Sequence, residues 1–330
     1  MMDIQTILGT DLGFYSTKVS DGQQIAIFES CVGYSAESMI GQHSPDMIFF
    51  QDGTAVGQAA IRYAKTPRIH TDDSWLTSPE ITRLFQAGLS RVLEPALSLQ
   101  KVFCVCALPI SLYKFSKGDL EGHLSRVHHF EMSNGDHFLV EAQIREIPQA
   151  FACLCNEFLS HDGIPASKLA LERVGVVDIG GRDLNLLISD SFRTVDGLSE
   201  TFQLGCWGLI ESVRSRLAEM FGRPSLSEYE AEKALRTGYL DHQGEESIVD
   251  DITGDEREKY LASIKTTIAS LWGDEVNKLS KIFVTGGGSI LIGEDLLDSY
   301  RQSTLVPDPV TANCNGAYKY GQFLARQEVD

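Results

Sequence analysis

Short runs with apolar residues at every second position alternate along this chain with longer runs in which they recur every three or four, the rhythm of an α/β protein. Residues 4–30 read as a β-meander: Ile7-Leu8 opens it, residues 17–20 continue it, Asp21-Gly22 supplies a hairpin turn and residues 24–28 close it. Residues 31–75 read as irregular, with short strands around 47–50, a turn at 51–53 and a short helix over 56–64. Ser78-Pro79-Glu80 predicts a helix start, with Ser as cap and Pro at the first position, and Ile81, Leu84, Phe85 and Leu89 follow at helical spacing. Residues 102–108, closed by Pro109, read as a buried strand. A charged helical segment, an Asn134-Gly135-Asp136 turn and a strand around 138–140 come next. At Glu146-Ile-Pro148-Gln149 a strand ends and a helix begins, running through Leu154 and Phe158.

The second half opens on a hairpin. Val174, Val176 and Val177 feed a strand, and Leu184, Leu186 and Ile188 alternate on the way back. Residues 206–220 predict a helix with Ile210, Val213, Leu217 and Met220 on one face, and residues 227–236 another, ended by Gly238. Residues 241–255 read as an acidic surface loop. A long helix over 256–272 turns Leu261, Ile264, Ile268 and Leu271 inward. Residues 281–285 read as a strand, 286–288 as a glycine turn, and Asn313 as the cap of a last helix.

A chain of 330 residues accommodates two domains. The expected division is lobe I over 1–165, with a small inserted subdomain at about 31–98; lobe II over 166–310, with a helical subdomain at about 205–275; and a C-terminal helix over 311–330 returning to lobe I. With 28 Lys+Arg against 46 Asp+Glu the net charge is −18, which argues against direct binding of nucleic acid or anionic membrane and for a basic protein partner. The seven cysteines have no zinc-finger spacing. With no secretory signal or membrane-length apolar run, they point to a reducing cytoplasm.

The candidate chemistry sits in the turns. Asp178-Ile-Gly180-Gly181 joins the two strands of the second-half hairpin: glycines let backbone amides face a ligand, and a carboxylate beside them suits a phosphate carrying Mg²⁺. A plain hairpin turn explains the same residues. Asp11-Leu-Gly13, with Lys18 downstream, repeats the grammar in the first half. Gln149, at a strand-to-helix junction, is a further site candidate beside its ordinary reading as a helix-start residue. Gly286-Gly287-Gly288 has neither dinucleotide-fold spacing nor a P-loop ending, yet three glycines suit the close approach of a flat ligand such as adenosine.

Asp-Leu-Gly, Asp-Ile-Gly-Gly and Val-Thr-Gly-Gly-Gly, in this order, resemble the phosphate-1, phosphate-2 and adenosine motifs of the actin, heat-shock chaperone and sugar kinase superfamily. Pro148-Gln149-Ala and Ala312-Asn-Cys-Asn-Gly-Ala-Tyr match its two connecting segments. Within it, Cys104-Val-Cys-Ala-Leu-Pro109 and Gly205-Cys-Trp-Gly are similar to the ParM/StbA plasmid-segregation actins. The resemblance implies a two-lobed actin-like α/β fold, each lobe a mixed sheet flanked by helices, with ATP or ADP and Mg²⁺ in the cleft; the residues leave the choice between ATP and GTP open. It implies that Asp11 and Asp178 hold the hydrated metal and Lys18 contacts phosphate. The amides of Leu12, Gly13, Gly180 and Gly181 would cradle phosphate oxygens. Gly286, Gly287 and Gly288 would line the adenosine, with Glu232 near ribose or base, and Gln149 would orient the attacking water. The family's second hairpin continues with Thr and then Asp where this chain has Asp183 and Asn185.

Three functions follow. The first is a filament-forming ATPase that segregates plasmid DNA through a DNA-binding adaptor protein. The second is a non-polymerising nucleotide-binding scaffold. The third is a small-molecule kinase of the same fold, disfavoured because Asp119-Leu-Glu-Gly-His123 is out of register with the kinase motif and neither Cys-x-Cys is followed by Gly.

Overall fold

The computed structural model describes residues 6–34, 44, 46–69 and 73–327. The chain divides into two compact units, Met1–Ala170 with Thr311–Asp330, and Leu171–Val310. Each is a mixed sheet flanked by helices.

In the first unit the six-stranded sheet runs Ile25–Glu29, Ser16–Ser20, Thr6–Leu12, Ala96–Leu108, His137–Pro148, Val127–Glu131. The opening meander is antiparallel. Thr6–Leu12 then pairs parallel with Ala96–Leu108, and that strand parallel with His137–Pro148. Ser78 caps helix Pro79–Val92 by accepting from the Ile81 amide at 3.2 Å, and Ile81, Leu84, Phe85 and Leu89 are buried as their spacing requires. Cys104 and Cys106 lie in the core beneath the sheet, their sulfurs 3.8 Å apart. The C-terminal helix Ala312–Gln327 packs directly on Thr6–Leu12. Gly9 permits this: a Cβ there would lie 2.1 Å from the Cys314 carbonyl oxygen.

The second unit repeats the plan. Arg173–Ile179 pairs antiparallel with Leu184–Asp190 and parallel with Lys281–Thr285, which pairs parallel with Ser303–Leu305. Helices Cys206–Met220, Glu228–Thr237 and Asp250–Trp272 bury one apolar cluster with the sheet. Ser227 and Glu230 form a reciprocal capping box on the middle helix, and Gly238 ends it.

Several local expectations change. Residues 31–69 are less irregular than their sequence suggests: Cys31–Tyr34, Ile48–Phe49, Ala55–Val56 and Thr66–Ile69 form a four-stranded sheet whose strands are too short to show a period. Val127–Glu131 is a further strand, opposite the Asn134-Gly135-Asp136 turn. Residues 241–255 are not a loop. Tyr239–His242 and Glu245–Ile248 form a hairpin, and the long helix begins at Asp250 rather than 256, because acidic residues favour a helix's first turn. Its most buried face carries Tyr260, Ile264, Ile268 and Trp272, with Leu261 and Leu271 half-buried beside them. Met220, the last residue of its helix, is exposed rather than on the buried face. Asn313 lies inside the last helix rather than capping it. Among the described residues no helix is long and apolar enough to cross a membrane.

Two outcomes follow. Gly9→Ala is expected to cost about 1–3 kcal/mol by forcing the C-terminal helix off its strand, whereas Gly197→Ala, where a Cβ meets nothing, changes stability by less than about 0.5 kcal/mol. Urea unfolding of both variants measures this. Hydrogen bonds from Lys259, Ser212 and Arg216, working against partial desolvation, hold the Glu256 carboxyl below its ordinary 4.5, at about 2. A depressed folded value stabilises above the unfolded one and is lost as pH falls through the folded one. Glu256→Gln is therefore expected to be less stable than the parent at pH 7, with the gap closing between about pH 4.5 and 2 in thermal melts.

Candidate functional site

Thr6–Leu12 delivers Asp11 to the end of a strand, two residues before the chain turns at Gly13. The carboxylate is buried. Lys18, its cross-strand partner, donates from Nζ to Oδ2 at 3.1 Å, and Gln149 donates from Nε2 to Oδ1 at 2.8 Å. Gln149 arrives from the adjacent crossover: His137–Pro148 ends at Pro148, and helix Gln149–Phe158 begins immediately. Gly13 belongs to the same cluster, since a Cβ there would stand 3.6 Å from Lys18 Nζ and 3.8 Å from Asp11 Oδ1. Leu12 is buried at the strand end beside Asp11. Cys314, buried in the last helix, lies within electrostatic reach of Asp11 and Lys18. Burial, with the Asp11 charge nearby, pushes its thiol up to about 12, so it stays protonated and donates to the Thr311 carbonyl at 3.1 Å.

Asp178 stands at the matching position of the second unit, buried near the end of Arg173–Ile179. Its cross-strand partner Asn185 donates from Nδ2 to Oδ2 at 3.3 Å, and Thr201 donates to Asn185 Oδ1 at 2.7 Å. Asp178 Oδ1 faces the glycine turn, where a Cβ on Gly286 would lie 2.5 Å from it. Gly286 has φ +86°, its amide donates to the Pro309 carbonyl, and the Gly288 amide donates to the Ile179 carbonyl at 2.8 Å. Two of the three glycines are thus required by the chain's own packing. Gly287 differs: a Cβ there meets nothing within 4 Å.

The structure therefore gathers Asp11, Gly13, Lys18 and Gln149 into one cluster, and Asp178, Gly286 and Gly288 into another. The expectation that the Gly180 amide faces a ligand is corrected: it donates to the Asp183 carbonyl at 2.8 Å and closes the hairpin turn. The Gly180 and Gly181 carbonyls accept from the Cys206 and Trp207 amides, fastening this turn to the start of helix Cys206–Met220. Glu232 lies on helix Glu228–Thr237, where its carboxylate accepts from Arg236 at 2.5 Å. Asp183 stands 3.6 Å from Arg182 Nε. Sequence reasoning missed Thr201 and Cys314. Thr201 reaches the site only because Glu200–Phe202 pairs beside Leu184–Asp190, a contact no local motif announces. A cavity of about 360 Å³ in the second unit is bordered by Gly181, Arg182, Trp207, Lys259 and Tyr260, but by neither Asp178 nor the three glycines. Among the described residues, no group of three or more His, Cys, Asp or Glu side chains could hold a metal. Any magnesium held by these aspartates would complete its shell with waters and ligand oxygens, the usual habit of that ion.

Residues 9–151 match the family described as actin like proteins, N-terminal domain, and residues 176–298 the family described as archaeal actin homologue MreB-like, C-terminal. No curated protein matches the sequence. Among solved structures, Ta0583, an archaeal actin homologue, is similar over 96% of this chain and 99% of its own, with TM-score 0.82 and 18% identity. The same protein in complex with ADP gives TM-score 0.78 and 18% identity over 98% of this chain and 100% of its own. A 15-stranded ParM filament from Clostridium botulinum gives TM-score 0.79 and 17% identity over 97% and 99%. At these identities the likeness is one of fold.

The glycine turn yields a paired test. Gly286→Ala is expected to lose at least about 1–2 kcal/mol, because a left-handed backbone disfavours a side chain and the new Cβ meets the Ile179 carbonyl. Gly287→Ala is expected to unfold within about 0.5 kcal/mol of the parent in urea.

Proposed function

The chain belongs to the actin-like proteins, and we propose on that premise that it is a nucleotide-dependent, filament-forming ATPase. The observation that carries the reading is the Asp11 cluster: a buried carboxylate at a strand end, with an ammonium on one oxygen and a side-chain amide on the other. In this reading Asp11 and Asp178 hold a hydrated Mg²⁺ and Lys18 takes a phosphate. The amides of Leu12, Gly13 and Gly181 receive phosphate oxygens. Gly287 offers the open backbone against which an adenosine rests, flanked by Gly286 and Gly288, with Glu232 toward ribose or base. The bound ion supplies neutralisation of phosphate charge.

What the chain's own groups do follows from their chemistry. Lys18 adds a fixed positive charge from the protein side. Gln149 gives its NH₂ to Asp11, which fixes the plane of its amide. An amide orients a water but does not deprotonate it, so hydrolysis is slow. Support for nucleotide binding and self-association comes from relatives of the same fold, one solved with ADP and one as a filament. Head-to-tail contacts that do not close would build such a polymer. The proposed role is cytoplasmic plasmid segregation, and the net charge of −18 favours action through a basic, DNA-binding adaptor rather than on DNA directly. Asn185 and Asp183, where the family has Asp and Thr, favour a second reading: a scaffold that binds nucleotide without polymerising.

High-speed pelleting with ATP, a non-hydrolysable analogue, ADP or GTP, alongside phosphate release, separates these readings. The filament reading expects ATP-dependent pelleting with slow release; binding without pelleting identifies the scaffold, and sugar phosphorylation a kinase. Asp11→Ala is expected to abolish Mg²⁺-ATP binding. Gln149→Ala is expected to leave the polymer but lower turnover at least about tenfold, the lower range for a group positioning a reactant. Unchanged turnover removes Gln149 from the mechanism.

A further inference from the structure

Among the described residues, four that are not glycine hold a left-handed backbone: Ser191, Phe192, Gln243 and Asp308. The first three have a local cause. Ser191 and Phe192 form the two-residue turn between Asp190 and Arg193, and Gln243 with Gly244 the one between His242 and Glu245. Tight hairpin turns of this kind need a positive φ at both positions. Asp308 serves no hairpin. It stands at φ +48° between Pro307 and Pro309, on the stretch that follows strand Ser303–Leu305. Proline fixes its own φ at about −65° and steers the residue before it toward extended backbone. The left-handed bend is therefore made at the one residue of the three able to make it, and against the preference that Pro309 imposes.

We infer that Asp308 is a positioning residue: its left-handed backbone aims the carbonyl that fixes the glycine turn, and so sets how well that turn receives an adenosine. The segment 306–309 grips the neighbouring strand end at two points. On one side of Asp308, the Val306 amide donates to the Val284 carbonyl at 2.9 Å. On the other, the Pro309 carbonyl accepts from the Thr285 hydroxyl at 3.3 Å and from the Gly286 amide at 3.1 Å. Asp308 lies between the two grips, so its φ decides where the second one falls. The turn has little room to follow a misplaced carbonyl. A Cβ on Gly286 would lie 2.4 Å from the Ile179 carbonyl oxygen, and the Gly288 amide donates to that same oxygen at 2.8 Å. Aspartate and asparagine enter the left-handed region more readily than other side chains, so the residue type suits the place. The inference rests on the nucleotide reading in one respect: the adenosine is taken to sit against Gly287.

A backbone series at this one position tests it. Asp308→Gly and Asp308→Asn keep access to the left-handed region, and Asp308→Ala and Asp308→Val lose it in increasing degree. The readouts are the affinities for Mg²⁺-ATP and for inorganic tripolyphosphate by calorimetry, and hydrogen exchange of the Gly286 amide in nucleotide-free protein. Asp308→Val is expected to lose ATP affinity by on the order of tenfold, the scale of the penalty on a side chain in left-handed backbone, because binding must restore the turn. Its affinity for tripolyphosphate, which carries no adenosine, is expected to match the parent's, and its Gly286 amide to exchange faster. Asp308→Gly and Asp308→Asn are expected to match the parent in all three. Asp308→Ala is expected to fall between, so the series decides even if the valine variant does not fold. Unchanged ATP affinity and Gly286 exchange across the series, tripolyphosphate lost along with ATP, or glycine and asparagine variants as impaired as valine overturn the inference while leaving the nucleotide reading intact. A parent that binds no ATP defeats the nucleotide reading, and Gly286 exchange then decides whether Asp308 positions the turn.

Discussion

A carboxylate taken out of water at the end of a strand is the constraint around which each half of this molecule is built. Such burial costs on the order of several kcal/mol per ion unless donors replace the lost hydration. The chain meets it twice with the same device, a cross-strand donor at the register position opposite the aspartate. In the first unit a second donor, Gln149, comes from the end of a parallel crossover. A plain surface turn would need none of this. The arrangement keeps each carboxylate dry and oriented.

The sheets exist to hold these strand ends in place. Thr6–Leu12 and Arg173–Ile179 are interior strands, each antiparallel on one side and parallel on the other. A hairpin alone would fray at its turn. Parallel strands anchored by helices do not, and they bring a further strand end into reach: Pro148 with Gln149, two strands over, in one unit, and Thr285 with the glycine turn, on the neighbouring strand, in the other. Gly9 and Gly286 tighten this further. The first lets the last helix lie on the Asp11 strand, and the second lets the glycine turn press on Asp178.

Much of this was legible in the residues. The strand–Asp–x–Gly grammar, the Ser78 cap, the Gly238 stop and the Pro148-Gln149 junction are local features, and local chemistry decided them. What escaped the sequence depends on distant partners or on lengths too short to carry a period. Thr201 meets Asn185 through strand pairing sixteen residues away. The strands of two to four residues between 31 and 69 show no alternation. The hairpin at 239–248 reads as a polar loop because much of it is exposed and its strands are only four residues long. The Gly180 amide illustrates a different limit: glycine spelling announces a turn with amides to offer, but only coordinates reveal that one closes the turn itself.

The central proposal is that the buried Asp11 carboxylate, held by Lys18 and Gln149, serves a magnesium-bound nucleotide. ATP affinity of Asp11→Asn against the parent, measured by calorimetry in Mg²⁺ and in EDTA, tests it most directly. The account predicts a loss of at least about tenfold in Mg²⁺ that shrinks in EDTA. Equal affinities of parent and variant in both conditions would mean that the carboxylate serves the fold alone, and the account would be wrong at its root.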